Sequence, residues 1–319
     1  MLAASSSFAV GEAASFRKVW AMNESERTDW LLTRKTGIGS SDASAVLGLS
    51  PWSTALSVYL DKTGQAPPKE MSQAMRWGLA LEPAIAEAYR QETGRLATAP
   101  AKALARHPKR DWQIASIDRE ADDRIVELKT AGARQADEWG EPGTDEVPEY
   151  YLVQVQHQMA VTGHLLADIA VLIGGQDFRV YHLERSEPII DRLTEIEAAF
   201  WDRVQRRDPP PPDWTHPGTV PLIESLYRPK DGLAVNLGCQ AVELVRQYQS
   251  WGQKAGEAKD AKDQCRAELV EMMGEASLAF LPDGQRIKRK TTARRGYTVE
   301  PSEYCDFRIL KAKLVREQA

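Results

Sequence analysis

Two short runs, Trp112–Asp118 and Arg124–Lys129, constrain this chain more than any other feature. Each alternates at the two-residue period of a strand, and only the polar residues 119–123 separate them. So short a connection suits an antiparallel pair, because a parallel pair needs a crossover of a dozen residues or more. The alternation puts Ile114, Ser116 and Asp118 on one face of the first run. In the second it puts Ile125, Glu127 and Lys129 on one face, with Val126 and Leu128 on the other. Antiparallel pairing of the two brings Asp118 towards Glu127.

Helix signals surround this pair. Ser25 can cap a helix through Asp29, Trp30, Leu31 and Leu32 that stops near Thr36–Gly39. Ser40, Ser41 and Asp42 can cap a second through Ala43, Val46 and Leu47, ended by Gly48. Thr54–Lys62 reads as a helix before Gly64, and Met75–Thr93 as another, with Leu79, Ile85, Ala86 and Tyr89 apolar and Gly94 at its end. Pro148 opens a helix over Glu149–Thr162 that Gly163 closes. Strands at 166–173 and 177–184 flank a hairpin turn at Gly174-Gly175-Gln176-Asp177. A helix over Ile189–Arg206 ends before Pro209-Pro210-Pro211-Pro212.

That proline run cannot continue a helix and predicts a boundary. The expected domains are residues 1–213 and a C-terminal extension, 214–319. In the extension, Cys239–Met273 reads as a helix or helical hairpin, followed by a β-like stretch at Arg286–Lys290 and a basic tail. The fold class is mixed α/β: a mixed sheet with helices on both sides, then a mostly helical appendage.

With 319 residues and 42% hydrophobic content, the chain can bury a core without disulfides or structural metals. Cys239, Cys265 and Cys305 show no metal-ligand spacing, which fits a reducing cytoplasm. The first residues are a poor signal peptide, and no stretch is apolar and long enough for a bilayer. A soluble, cytoplasmic protein is expected. The net charge of −5 does not exclude a nucleic-acid partner, because acids at a metal centre count towards it while basic residues gather on another face.

The candidate chemistry lies on the polar face of the strand pair. Glu127 and Lys129 stand roughly 6–7 Å apart along a strand. Such a carboxylate can bind a hard divalent cation, and such an ammonium can orient or activate water for attack on a phosphodiester. Taken alone, the pair reads first as an exposed salt bridge on an ordinary strand, because so short a motif recurs by chance. Asp118 adds a second acid, and two adjacent acids suit a magnesium ion between them; its bland alternative is a turn cap. Glu82, between Leu81 and Pro83, is on local grounds an ordinary helix carboxylate. Gln154 and Gln158 share a helix face beside His157, as a site support or a polar surface stripe.

Order and spacing then match a family. The segments are Arg34-Lys35-Thr36-Gly37-Ile38-Gly39-Ser40-Ser41-Asp42, Leu47-Gly48-Leu49-Ser50-Pro51-Trp52, and Trp77-Gly78 with Leu81-Glu82-Pro83. They continue with Ala115-Ser116-Ile117-Asp118, Glu127-Leu128-Lys129, and Tyr151 to Gln158 followed by Val161-Thr162-Gly163. Across residues 25–210 the chain resembles the lambda-exonuclease and YqaJ-type viral recombinases, phage-type alkaline exonucleases within the restriction-endonuclease-like nucleases.

The resemblance implies a restriction-endonuclease-like core and a magnesium-dependent 5'-to-3' exonuclease of double-stranded DNA that leaves 3' overhangs for recombination. Asp118, Glu127 and the Leu128 carbonyl would hold magnesium, and Glu82 would complete or bridge a second metal position; manganese is a candidate substitute. Lys129 would position or deprotonate the attacking water, supported by Gln154. Arg34 and Ser41 match a 5'-phosphate pocket, although on local grounds they are a surface charge and an N-cap. Met75 falls where the family places a strand-separating wedge, or is a core methionine. The family's aspartate is followed by glycine, whereas Arg119 follows Asp118 here.

Duplex DNA ends, a single-strand annealing protein and a toroidal homotrimer are the implied partners and assembly. Basic residues Arg286, Lys288, Arg289, Lys290, Arg294, Arg295, Arg308, Lys311, Lys313 and Arg316, interleaved with Tyr297, Tyr304 and Phe307, can bind a duplex or a partner, or form a solvated tail. Two other readings stand beside this one: an endonuclease or repair nuclease of the same fold, and a non-catalytic DNA-binding recombination scaffold.

Overall fold

The computed structural model of the chain describes residues 32–67, 71–100, 102, 104–293, 296 and 307–309. Two compact units emerge, Met1–Tyr227 and Arg228–Ala319. The first contains β1 (Ile38–Gly39), α1 (Ser40–Val46), α2 (Ala55–Lys62), α3 (Gln73–Thr93), β2 (Ala105–Arg106), β3 (Gln113–Ala115), β4 (Arg119–Ala121) and β5 (Arg124–Ala131). It continues through α4 (Glu149–Thr162), β6 (Leu166–Ile173), β7 (Asp177–Glu184), α5 (Glu187–Arg206) and α6 (Thr219–Leu226).

A four-stranded sheet runs in the order β4-β5-β6-β7. The pair β5 and β6 is parallel, and both outer pairings are antiparallel. A parallel pair needs a crossover, and α4 supplies it. The alternation along β5 decides what covers each face. Ile125 packs with Tyr151, Val155 and Met159 of α4, whereas Val126 and Leu128 pack with Ile85, Ala86 and Tyr89 of α3. Helices therefore cover both faces of a mixed sheet, the α/β class expected, and the face shared by Glu127 and Lys129 looks towards α4.

The first alternating run does not remain one strand. Only Gln113–Ala115 pairs, in a separate three-stranded sheet of order β1-β3-β2. Residues expected to be turn, Arg119–Ala121, form β4 instead and pair with β5 in the register Arg119 to Val126. The turn shrinks to Asp122-Asp123, where Asp122 takes φ 52, a left-handed conformation that aspartate tolerates better than most residues. Partner choice caused the difference: after Ala115 the chain leaves one sheet and enters the other.

Helix boundaries follow local chemistry closely. Thr54 caps α2 by accepting from the Ser57 N–H, and Ser72 caps α3 by accepting from the Met75 N–H. Gly94 and Gly163 end α3 and α4 with φ 72 and 82, the left-handed conformation that glycine adopts without strain. Pro83 sits inside α3, where it removes one helical donor, yet the helix runs on to Thr93.

The first unit extends past the proline run to Tyr227 rather than stopping at residue 213, because Leu222, Ile223 and Leu226 of α6 pack on Ile38, Leu56, Tyr59, Phe200 and Val204. The second unit contains α7 (Cys239–Met273) and an antiparallel hairpin, β8 (Leu278–Phe280) with β9 (Arg286–Lys288). α7 is one continuous helix, not a hairpin. Arg289 donates from Nη1 to the Gly274 carbonyl at 2.9 Å and ties the end of α7 to the hairpin.

Several expectations fall outside the described residues: the helix capped by Ser25 and running through Trp30, Cys305, Arg294, Arg295, Tyr297, Tyr304, Lys311, Lys313 and Arg316. Cys239 and Cys265 are free and exposed. Among the described residues no helix is long and apolar enough to cross a membrane.

Candidate active site

Glu127 is almost fully buried on β5, and side chains from α4 reach down to it. Its Oε1 accepts from Lys129 Nζ at 2.6 Å and from the Gln154 amide, while its Oε2 accepts from Gln158 Nε2 at 2.7 Å. Lys129 Nζ also donates to Gln154 Oε1 at 3.2 Å and lies 4.8 Å from the centroid of the Tyr151 ring. The i, i+4 spacing of Gln154 and Gln158 explains how one helix face holds one carboxylate from two sides. These glutamines are buried, so they are not a stripe on a surface helix.

Asp118 enters from the adjacent chain. Continuing the β4–β5 register one step beyond Arg119 and Val126 sets Asp118 level with Glu127. Its Oδ2 accepts from the Leu128 backbone N–H at 3.0 Å. Burial raises the Glu127 carboxyl above the ordinary glutamate value, and the Asp118 charge pushes it further, against the pull of Lys129 and Gln158. Burial disfavours the Lys129 ammonium, but Glu127 and Asp118 outweigh it and hold its pKa above the ordinary lysine value. Lys129 is therefore a charged group in this arrangement.

Glu82 approaches from α3 and meets Arg119. Arg119 Nη1 donates to the Asp118 carbonyl at 2.7 Å and lies 3.9 Å from Glu82 Oε2. The Arg119 side chain is 7% exposed and that of Glu82 16%. At this burial the pair links α3 to the Asp118 segment, although 3.9 Å makes it a looser contact than the knot around Glu127. Gly78 faces β5, where a Cβ would make only an ordinary 3.6 Å contact with Thr130 Oγ1.

Whether these residues suit a cation can be judged from the donors. Two adjacent carboxylates, each with oxygen donors only, are a hard-ligand set of the kind magnesium takes. Gln158 Oε1, buried beside Glu127, has no hydrogen-bond partner among the described residues, and the O–H of a cation-bound water is a natural one. Among the described residues no three His, Cys, Asp or Glu side chains converge closely enough to hold a metal ion. A hard divalent ion is matched here by the chemistry of two acids, Asp118 and Glu127, rather than by a closed cluster of three.

Arg34 and Ser41 meet in a second cluster. Arg34 Nη2 donates to Ser41 Oγ at 2.9 Å. Asp42 Oδ2 accepts from the Gly39 N–H at 2.9 Å and lies 2.6 Å from Lys62 Nζ, which also donates to the Arg34 carbonyl at 2.9 Å. Burial opposes ionisation of Asp42, but Lys62 and Arg34 hold its pKa below the ordinary aspartate value. Lys62 also lies 3.8 Å from Asp61 Oδ2, so the lysine is shared between two acids. The bridge from this cluster to the first is α1 against α4, where Ala43 packs on Val153 and Leu193. Met75 stands on the first turn of α3 and is 47% exposed, so it is not a core methionine.

The residues that sequence reasoning missed are Lys62, Arg119 and Tyr151. Lys62 looked like an ordinary C-terminal helix lysine, and Arg119 like part of a polar turn. Tyr151 stands in the sequence as one aromatic residue of the Tyr151–Gln158 segment. The one available signal for Arg119 was its position directly after the candidate aspartate.

A model of the YqaJ-like viral recombinase domain matches residues 29–165. The uncharacterized protein YqaJ of Bacillus subtilis (strain 168) is 32% identical over 279 residues, 86% of each chain. Among solved structures, the chain is similar to an alkaline exonuclease, LHK-Exo, from Laribacter hongkongensis, at 20% identity and TM-score 0.46 over 57% of this chain and 94% of that one. It is similar also to a putative exonuclease from Eubacterium rectale, at 13% identity and TM-score 0.45 over 70% and 98% of the respective chains.

Proposed function

Because this chain belongs to the YqaJ-like viral recombinase family, we propose that it is a divalent-metal-dependent DNA exonuclease that digests duplex ends in the 5'-to-3' direction and leaves 3' overhangs for recombination. The observation that carries the reading is the knot in which Asp118, Glu127, Lys129, Gln154 and Gln158 gather around β5, with Glu127 and both glutamines buried.

Asp118 and Glu127, with the Leu128 carbonyl, would hold magnesium, with manganese as its candidate substitute. Bound there, such an ion lowers the pKa of its water and polarises the phosphodiester. Lys129, as an ammonium tethered to Glu127, orients the attacking water and neutralises charge on the phosphate oxygens. Gln154 and Gln158 keep the carboxylate and the amine in place without adding charge. Glu82, which faces Arg119 at 3.9 Å, would complete or bridge a second metal position.

Arg34 and Ser41, backed by Lys62, are proposed to grip the 5'-phosphate, since a guanidinium matches phosphate in a bidentate manner. The exposed Met75 suits a wedge between bases at the opening end. A toroidal homotrimer and a single-strand annealing protein complete the reading and rest on the family resemblance alone.

The test is digestion of three duplexes, 5'-phosphorylated linear, 5'-hydroxyl linear and closed circular, with magnesium and with a chelator. The reading expects loss with chelator, preference for the 5'-phosphorylated end and an intact circle. Cleavage of the circle would make the protein an endonuclease of the same fold, and DNA binding without cleavage would make it a recombination scaffold.

A further inference from the structure

We propose that Trp52, backed by Tyr150, is a stacking platform for a nucleobase flanking the phosphodiester at the Glu127–Lys129 centre, an inference that rests on the nuclease reading above. A row of rings leads outward from the candidate amine. Lys129 Nζ sits 4.8 Å from the centroid of Tyr151, which is buried. Tyr151 lies 4.5 Å from Tyr150 and 6.0 Å from Trp52, and Tyr150 meets Trp52 edge-on at 5.0 Å. The row ends in solvent, because Trp52 is 56% exposed.

The indole is held, not dangling. Ser50 Oγ accepts from the backbone N–H groups of Trp52 and Ser53, each at 3.2 Å. The Ser50 carbonyl is 3.1 Å from His216 Nε2, and Thr54 at the end of the loop caps α2. Tyr150 is pinned separately, its hydroxyl donating to Glu138. A rigid aromatic surface loses little entropy when a ring stacks on it, and every base has a π-face to offer.

Size and charge select the occupant. A protein partner needs roughly 800 Å² on each side, whereas one tryptophan offers on the order of 200 Å², enough for a single base. Glu138 at the outer edge of Tyr150 disfavours phosphate there, so the spot offers ring faces rather than backbone contacts. Along a strand held at Lys129, neighbouring bases recur about every 3.4 Å, so a flanking base comes within reach of the row.

The experiment uses the full chain with chelator present and a 5'-phosphorylated duplex carrying the fluorescent base 2-aminopurine at its terminal or penultimate positions. Binding to the wild type is expected to change the probe's fluorescence at one of these positions. Trp52→Ala should abolish that change and weaken binding by roughly tenfold or more, while Trp52→Phe keeps much of both. Circular dichroism and elution volume should match the wild type. Equal probe response and affinity in Trp52→Ala would overturn the proposal, as would a changed oligomeric state, which would make Trp52 a contact between copies. Cleavage by the wild type with magnesium, alongside an unaffected Trp52→Ala, would sink the platform and spare the nuclease reading. A Trp52-dependent probe response from a wild type that never cleaves would do the reverse.

Discussion

Helices α4 and α7 use their lengths in opposite ways. α4 has 14 residues and buries ten of them, including Gln154, Gln156, His157 and Gln158. α7 has 35 residues and buries none, although Val242, Leu244, Tyr248 and Trp251 lie along it. Every polar side chain in the buried part of α4 has work to do. Gln154 and Gln158 grip Glu127, Gln156 bridges the Glu184 carbonyl and the Ser186 N–H, and His157 meets Glu197 at 2.6 Å and the Ile114 carbonyl at 2.9 Å. Buried polar groups must be satisfied, so such a helix can occupy one position only. α7 carries no such constraint, and its stability rests on local helix propensity and surface pairs such as Lys259–Asp263.

The sharpest way to break this comparison is at the knot that α4 stabilises. On the proposed role of its amine, Lys129→Ala should reduce cleavage by about 10³-fold or more with circular dichroism unchanged, because Gln154 and Gln158 still hold Glu127. Steady-state cleavage of a 5'-phosphorylated duplex checks it, and near wild-type rates would remove Lys129 from the site.

Next comes the buried pair behind α4. Glu197→Ala leaves His157 facing Ile114 with its charge uncompensated, and Gln113 Nε2 loses its 2.7 Å acceptor as well. The expected loss is about 3–5 kcal/mol, read from urea midpoints. A loss below about 1 kcal/mol would show that His157 is neutral and the pair is not ionic.

pH offers a gentler probe of the same place. Burial disfavours the charged imidazole, but the facing carboxylate of Glu197, the Ile114 carbonyl and the more distant Asp42 outweigh it and raise its pKa above the ordinary histidine value. Both ring nitrogens face acceptors, so the doubly protonated form is the one the site suits. A raised folded pKa means the stabilisation is complete below the unfolded value of about 6.5 and fades as pH climbs through the folded one. Stability should therefore fall above about pH 6.5 more steeply in the wild type than in His157→Gln. Parallel slopes would contradict the assignment.

At the small end, Leu244→Ser on α7 should shift the unfolding midpoint by less than about 0.5 kcal/mol, since the residue is 59% exposed. A larger shift would mean that another surface covers α7 in solution.

Much of this could be read before any coordinates. Thr54 and the paired Gly94 and Gly163 are local signals, and they end or begin their helices as expected. The parity of β5 assigned Glu127 and Lys129 to one face and Val126 and Leu128 to the other, because a two-residue period admits no third arrangement. The strands 166–173 and 177–184 were legible for the same reason. Less was legible where a contact joins distant segments. Nothing local to Arg119 reveals that it turns to Glu82, and nothing local to His157 reveals Glu197.

The amino-acid order alone thus determined the caps, the strand faces and the acid–amine spacing on β5, since these depend on neighbours within a few residues. Tertiary structure decided which sheet Arg119–Ala121 would join, that α6 belongs with the first unit, and that Gln154 and Gln158 would close on one carboxylate. Those outcomes depend on the cost of leaving buried polar groups and apolar surface unpartnered, and that cost is set only when segments far apart in the chain come together.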